Sequence, residues 1–200
     1  MIKAVALGKR YNDVYVFKNV YIDLPQRGLV ALVGPNGSGK TTLLKIFAML
    51  TEPSEGEVYI LGAPWREARV KHRGRVLYAH QEPLVYSGTV EQNLICNDDD
   101  VLEALGLKGL MRHKAKGLSG GYKKLLTVAR VLACKPQIAL LDEPTAYLDP
   151  GKRQGLLEYL NEYAKKSLVV WTTHYPPEAD SSEQVYEIRD GNLRLLKSRI

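Results

Sequence analysis

Gly34-Pro35-Asn36-Gly37-Ser38-Gly39-Lys40-Thr41-Thr42 decides the fold of this chain. It satisfies the pattern G-x-x-x-x-G-K-[ST] at every fixed position. The run before it, Gly28-Leu29-Val30-Ala31-Leu32-Val33, is short, apolar and β-branched, and predicts a buried strand. After it, Leu43 to Leu50 carries apolar residues three and four apart and predicts a helix. A strand, a Gly-rich turn and a helix N-terminus present consecutive backbone N–H groups to a phosphate chain. The glycines let the backbone come close to the phosphates and take dihedrals that other residues avoid. In that setting Lys40 supplies a point charge for β- and γ-phosphates, and the Thr41 hydroxyl is placed to ligate Mg²⁺.

Two hundred residues suit one domain, or one core with a small insertion. A hydrophobic content of 45% supports a packed core. No apolar run approaches the roughly 18–20 residues of a membrane span. The apolar stretch from Met1 to Leu7 is too short for a signal peptide, so a cytoplasmic location is expected, with membrane contact only through a partner. Cys96 and Cys134 have no C-x-x-C or His cluster around them and are expected to be reduced, packed thiols. The formal charge is +6, but the basic residues are scattered. The densest groups, Lys71 to Arg75 and Arg112 to Lys116, lack aromatic interleaving and are expected to be solvated surface, with no direct nucleic-acid partner.

Ile2 to Leu7 and Val14 to Leu24 predict strands joined by a turn over Gly8 to Asp13, a β layer ahead of the phosphate loop. Further strands are expected at Glu57 to Leu61 and Arg75 to Ala79. The segment 82–117 changes texture and is read as a small helical insertion. Within it Asn97 to Asp100 supplies an N-cap and first-turn charges for the next helix. Tyr122 to Ala133 predicts a helix that ends at Lys135-Pro136. Ile138 to Leu141 and Leu168 to Thr173 predict buried strands flanking a helix over Pro150 to Lys166, and a hairpin around Asp190-Gly191-Asn192 closes the chain.

Four features say which kind of nucleotide protein this is. The strand Ile138 to Leu141 ends in two acids. It is expected beside the phosphate-loop strand, with Asp142 near Mg²⁺ and Glu143 facing the γ-phosphate to position or deprotonate water. Leu118-Ser119-Gly120-Gly121 opens the next helix, with Ser119 as cap and Gly120 and Gly121 leaving N–H groups open, a second anion-binding helix start. His174 ends an apolar strand expected next to the one bearing Glu143. Gln81 follows another strand, with an amide oxygen available to Mg²⁺ or water.

In this order, Gly34–Thr42, Gln81, Leu118–Gly121, Ile138–Glu143, Ala146-Tyr147-Leu148-Asp149 and His174 resemble the motif set of an ABC-type ATPase, the nucleotide-binding subunit of ABC transporters, over nearly the whole chain. The resemblance implies an α/β P-loop NTPase core with a mostly parallel sheet, an N-terminal antiparallel β subdomain and a small helical subdomain. It implies an aromatic residue stacked on adenine, for which Tyr11 is chosen ahead of Tyr15 and Phe17. It also implies ATP and Mg²⁺ as ligands, sandwiched in a head-to-tail dimer of this chain or of this chain with a similar one. In that dimer Gly34, Pro35, Asn36, Gly37, Ser38, Gly39, Lys40, Thr41 and Thr42 grip the phosphates, and Thr41, Gln81 and Asp142 hold the metal. Ser119, Gly120 and Gly121 of the partner chain close the site. Glu143 is the implied base, His174 and Lys40 fix the γ-phosphate, and Asp149 helps couple the two sites. Segment 82–117 and Gln81 would form the face for integral membrane subunits, which places the chain peripherally on the cytoplasmic side. Two departures stand out: Tyr122 where the family usually has Gln, and Tyr147 where a small residue is common. The alternative is a non-transport ABC ATPase acting on nucleic acid or the ribosome. No coiled-coil arms interrupt this chain, only one copy of the motif set is present, and no N-K-x-D motif points to a GTPase.

Overall fold

A computed structural model of the chain describes residues 1–199. The strands β1 (Ile2–Tyr11), β2 (Val14–Leu24) and β3 (Gly28–Val33) lead into α1 (Lys40–Phe47). Next come β4 (Glu55–Ile60), β5 (Ala63–Pro64), α2 (Trp65–Lys71), β6 (Val76–Ala79) and α3 (Asp99–Ala104). The chain continues through α4 (Gly120–Leu132), β7 (Ile138–Leu141), α5 (Pro150–Ala164) and β8 (Leu168–Thr173) to β9 (Gln184–Arg189) and β10 (Asn192–Ser198).

The central sheet has the order β10-β9-β3-β8-β7-β6 and is parallel except at its β10 edge. Every residue of β3, β7 and β8 is buried, as expected where both faces of a parallel sheet are covered. Side chains alternate between two cores with period two. Leu29, Ala31, Val33, Ala139, Leu141, Val169 and Trp171 pack against α3, α4 and α5. Val30, Leu32, Ile138, Leu140, Leu168 and Val170 pack against α1 and a second, antiparallel sheet of order β2-β1-β4-β5.

Three expectations need correction. The acid-bearing strand β7 is not adjacent to the phosphate-loop strand, because β8 lies between them. β3 and β7 carry no polar side chain and β8 only its two threonines, so their sequences carry no signal of lateral order. The expected turn over Gly8 to Asp13 is only Asn12-Asp13; β1 continues to Tyr11, which ends the strand. Register shifts between Ala4 and Arg10 absorb the irregular residues as bulges, and Asn12 takes the left-handed backbone of the remaining turn. The cysteines are not free thiols: Cys96 and Cys134 form a disulfide, with Cα atoms 5.1 Å apart. The fold brings them together by laying the start of segment 82–117 against the C-terminal end of α4, a contact of 38 residues' separation that no local pattern announces.

Helix α2 was not apparent from the sequence. Its Trp65 Nε1 donates to the carbonyl of Ile46 at 2.8 Å and joins α2 to the end of α1. Segment 82–117 holds one short α-helix and three 3₁₀ turns, Glu91–Asn93, Lys108–Leu110 and Ala115–Gly117. Its two ends are joined by Val90 N–H to His113 O at 3.0 Å and Ala115 N–H to Gly88 O at 2.9 Å. As expected, Asp98 caps α3, accepting from the Val101 N–H at 3.0 Å. No described helix is long and apolar enough to cross a membrane.

Candidate active site

Two glycines of the loop 34–42 are required by its geometry. A Cβ on Gly34 (φ 146°) would lie 2.2 Å from the carbonyl oxygen of Ile188, and one on Gly39 (φ 104°) 2.6 Å from Val16 Cγ1. The tight turn leads straight into α1, whose first turn has no side-chain cap, leaving its N–H groups to an anion. Ser38 Oγ in the same loop is buried without a partner, a polar group oriented for a ligand of the loop. Lys40 is buried, and its Nζ donates to Gly34 O at 2.7 Å and Pro35 O at 2.9 Å. Burial pulls its pKa down, while Glu143 and Asp142 pull the other way.

Asp142 is the centre of the site. Only 1% exposed, its carboxylate accepts three hydroxyls: Thr41 Oγ1 on Oδ1 at 3.1 Å, Thr172 Oγ1 on Oδ1 at 2.7 Å, and Tyr78 OH on Oδ2 at 2.8 Å. Burial, and then Asp142 itself, push the Tyr78 phenol far above its ordinary range, so it is a donor at any working pH. The adjacent Glu143 has a left-handed backbone, φ 45°, and its N–H donates to Thr172 Oγ1 at 2.8 Å. Its Oε2 lies 3.5 Å from His174 Nδ1, as expected from the β7–β8 pairing. Thr41 and Asp142 are hard oxygen donors suited to Mg²⁺. Among the described residues no three His, Cys, Asp or Glu side chains gather as a metal cage, so an ion here needs oxygens from the nucleotide and water.

Lys124 is fully buried. Its Nζ donates to the carbonyls of His80 at 3.1 Å, Gln81 at 2.7 Å and Asp142 at 2.9 Å. Burial pushes its pKa down to about 8 against the pull of Asp142, Glu143 and Glu82. Through this ammonium the backbones of Gln81 and Asp142 meet, while the Gln81 side chain stays exposed. Beside Glu143 and His174 a cavity of about 260 Å³ is lined also by Thr145, Arg153, Thr173 and Glu178. Glu178 accepts from Thr145 Oγ1 at 2.8 Å and Thr173 Oγ1 at 3.0 Å, and pairs with Arg153 at 3.2 Å.

The fold does not join every expected residue to this cluster. Ser119 caps α4, its Oγ accepting from Tyr122 N–H at 3.5 Å, and among the described residues it makes no hydrogen bond to the phosphate loop. A Cβ on Gly121 would lie 3.0 Å from Tyr147 O, and one on Gly120 3.8 Å from Tyr147 Cβ, so Tyr147 packs over the start of α4. The Tyr147 hydroxyl lies 3.3 Å from both Glu82 oxygens, and the Tyr122 ring carries the Lys152 ammonium at 4.9 Å. Asp149 caps α5 through Lys152 N–H at 3.0 Å. Tyr11 is half exposed, with the Lys9 ammonium 4.8 Å above its ring.

Sequence reading missed Tyr78, Lys124, Thr172 and Glu178. Two of them carried a signal: Lys124 sits between glycine and the apolar stripe of α4, and Thr172 interrupts an otherwise apolar strand.

A family profile described as "ABC transporter" matches residues 17–146, from β2 through both acids. The chain belongs to the ABC transporter family. It is an ATP-binding subunit of that family and hydrolyses ATP. It is 36% identical to a putative ABC transporter ATP-binding protein of Pyrococcus furiosus over 92% of this chain and 75% of that one. It is 29% identical to an energy-coupling factor transporter ATP-binding protein of Methanoculleus marisnigri, over 90% and 73% respectively. Among solved structures, an ATP-binding cassette in a dimeric post-hydrolysis state with ADP and Pi superposes over the full length of both chains, with a TM-score of 0.85 and 28% identity. A subunit of Clostridium perfringens, part of an ABC transporter complex, matches over 97% of this chain and 86% of its own, with a TM-score of 0.84 and 26% identity.

Proposed function

We propose that two copies of this chain, or one copy and a similar chain, sandwich two Mg²⁺-ATP head to tail and drive separate integral membrane subunits from the cytoplasmic face. The observation that carries this reading is the pairing of Thr41 and Asp142 at 3.1 Å with Glu143 and His174 at 3.5 Å, while Ser119 makes no hydrogen bond to the same loop. The loop side of a phosphate site gathers in one cluster to which Ser119 makes no hydrogen bond, which supports a site completed by a second chain.

In this mechanism Gly34 to Thr42 grip the phosphates through N–H groups and Lys40, and Tyr11 stacks on adenine. Thr41, Gln81 and Asp142 would hold the metal, which when bound offsets the charge on the β- and γ-phosphates. Glu143 takes a proton from the attacking water as its oxygen bonds to the γ-phosphorus. The bond to the bridging oxygen breaks, and ADP leaves with that electron pair. His174 orients Glu143 and the γ-phosphate. Ser119, Gly120 and Gly121 of the partner complete the charge stabilisation, and Asp149 sits where the two sites communicate. Segment 82–117 with Gln81 offers the face for the membrane subunits, exposing Leu84, Tyr86 and Ile95.

Glu143→Gln tests the assignment. The variant should bind ATP, lose at least about 100-fold in turnover, and elute as a dimer on size exclusion with ATP. Wild-type turnover without a trapped dimer would sink it.

A further inference from the structure

We propose that Thr172 is a positioning residue for the reaction, its single hydroxyl setting both the metal-binding carboxylate of Asp142 and the backbone of Glu143. The inference rests on the roles assigned above to those two acids.

The geometry follows from strand order. Because β8 lies between β3 and β7, its residues touch the phosphate-loop strand on one side and the acid strand on the other. Leu141 pairs with Trp171, so the next step along both strands brings Asp142 alongside Thr172; on the other side Thr172 pairs with Leu32. Thr172 is 0% exposed in a strand otherwise filled by Leu, Val and Trp and ended by Thr173. A hydroxyl buried there is costly unless its bonding capacity is used.

Its bonding is fully determined. An ionised carboxylate only accepts and a backbone N–H only donates. The hydroxyl must therefore give its one hydrogen to Asp142 Oδ1, at 2.7 Å, and receive the Glu143 N–H, at 2.8 Å. Among the described residues no other side chain is hydrogen-bonded to both acids. Tyr78 holds Oδ2 at 2.8 Å, so the plane of the carboxylate is set from two sides. Thr41 also donates to Oδ1, at 3.1 Å, which leaves the Thr41 oxygen's lone pairs available to a metal. Glu143 needs its bond for a separate reason. A left-handed backbone at a non-glycine residue is strained and persists only where its surroundings hold it. The N–H bond to Thr172 at 2.8 Å and the Ala146 N–H donated to the Glu143 carbonyl at 3.2 Å hold it, and only the first comes from a side chain.

Thr172→Val keeps the shape and removes the hydroxyl. In the full chain it should lower kcat by about 100-fold through misplacement of the base, with little change in KM for ATP. It should raise the Mg²⁺ concentration needed for tight binding of a fluorescent ATP analogue by about tenfold. Binding of that analogue in EDTA should be unchanged. Thr172→Ser should restore most of both. Wild-type kcat and Mg²⁺ dependence in Thr172→Val would overturn the proposal. So would equal impairment of Thr172→Ser, which would assign the effect to the methyl group. If Thr172→Val does not fold, Thr172→Cys, a weaker donor of similar size, gives the same readings, and wild-type values there overturn the proposal as well. An inactive Glu143→Gln beside an unaffected Thr172→Val rejects only this inference; an active Glu143→Gln rejects the catalytic reading beneath it.

Discussion

Lys124 illustrates how single residues carry this site. Among the described residues its ammonium forms no ion pair; three backbone carbonyls, from His80, Gln81 and Asp142, take its three hydrogens. Substituting Met would keep the stem and remove the donor from those carbonyls, of which the Asp142 carbonyl is the one in a buried bond. Leaving such groups unsatisfied costs about 3 kcal/mol in all. Lys124→Met should lower the urea midpoint accordingly, and an unchanged midpoint would show that water reaches the three oxygens. At this scale the sequence was readable where the motif dictates chemistry and silent where support comes from across the fold. Lys40 and Thr41 were picked out by motif spacing, and Asp142, Glu143 and His174 by their places at the ends of apolar strands. Tyr78 and Thr172 lie on two other strands, and their contacts exist only once β6, β7 and β8 are in register.

At the level of elements, helix and strand periods were read well because burial imposes them. The apolar runs of β3, β7 and β8 and the helix starts capped at Asp98 and Ser119 were recognised from the sequence, while the cap that Asp149 provides to α5 was not. Lateral strand order was not legible, nor was the persistence of β1 through its bulges. The Cys96–Cys134 bond belongs here too, since it fastens segment 82–117 to the end of α4. Closing a loop of 38 residues removes chain entropy from the unfolded state worth about 4 kcal/mol. Reduction, or Cys96→Ser, should lower the unfolding free energy by up to that amount. Urea unfolding with and without a phosphine reductant measures it; identical curves would mean that the bond adds no constraint.

At the scale of the whole molecule the decisive fact is division. One chain carries the phosphate-loop motif at the start of α1 and a second glycine-bearing helix start at α4, and among the described residues no hydrogen bond joins the two. A head-to-tail pair predicts complementation. Lys40→Ala and Ser119→Arg should each abolish turnover alone. Mixed, they should recover ATPase activity, because a heterodimer joins the intact loop of one chain to the intact Ser119-Gly120-Gly121 of the other. No recovery on mixing, with both variants folded and able to dimerise, would reject the composite site.

The sequence by itself determined which chemistry the chain carries. Phosphate binding demands glycines, a lysine and a hydroxyl at fixed spacing along one turn, and that requirement is local. Only the tertiary structure decided how the acids are held. Parallel strands are ordered by crossovers and packing, not by their own composition, so a threonine from the strand between Gly34 and Asp142 becomes the contact of both acids. The same physics hid the disulfide: two isolated cysteines become neighbours only when an insertion folds back on a helix.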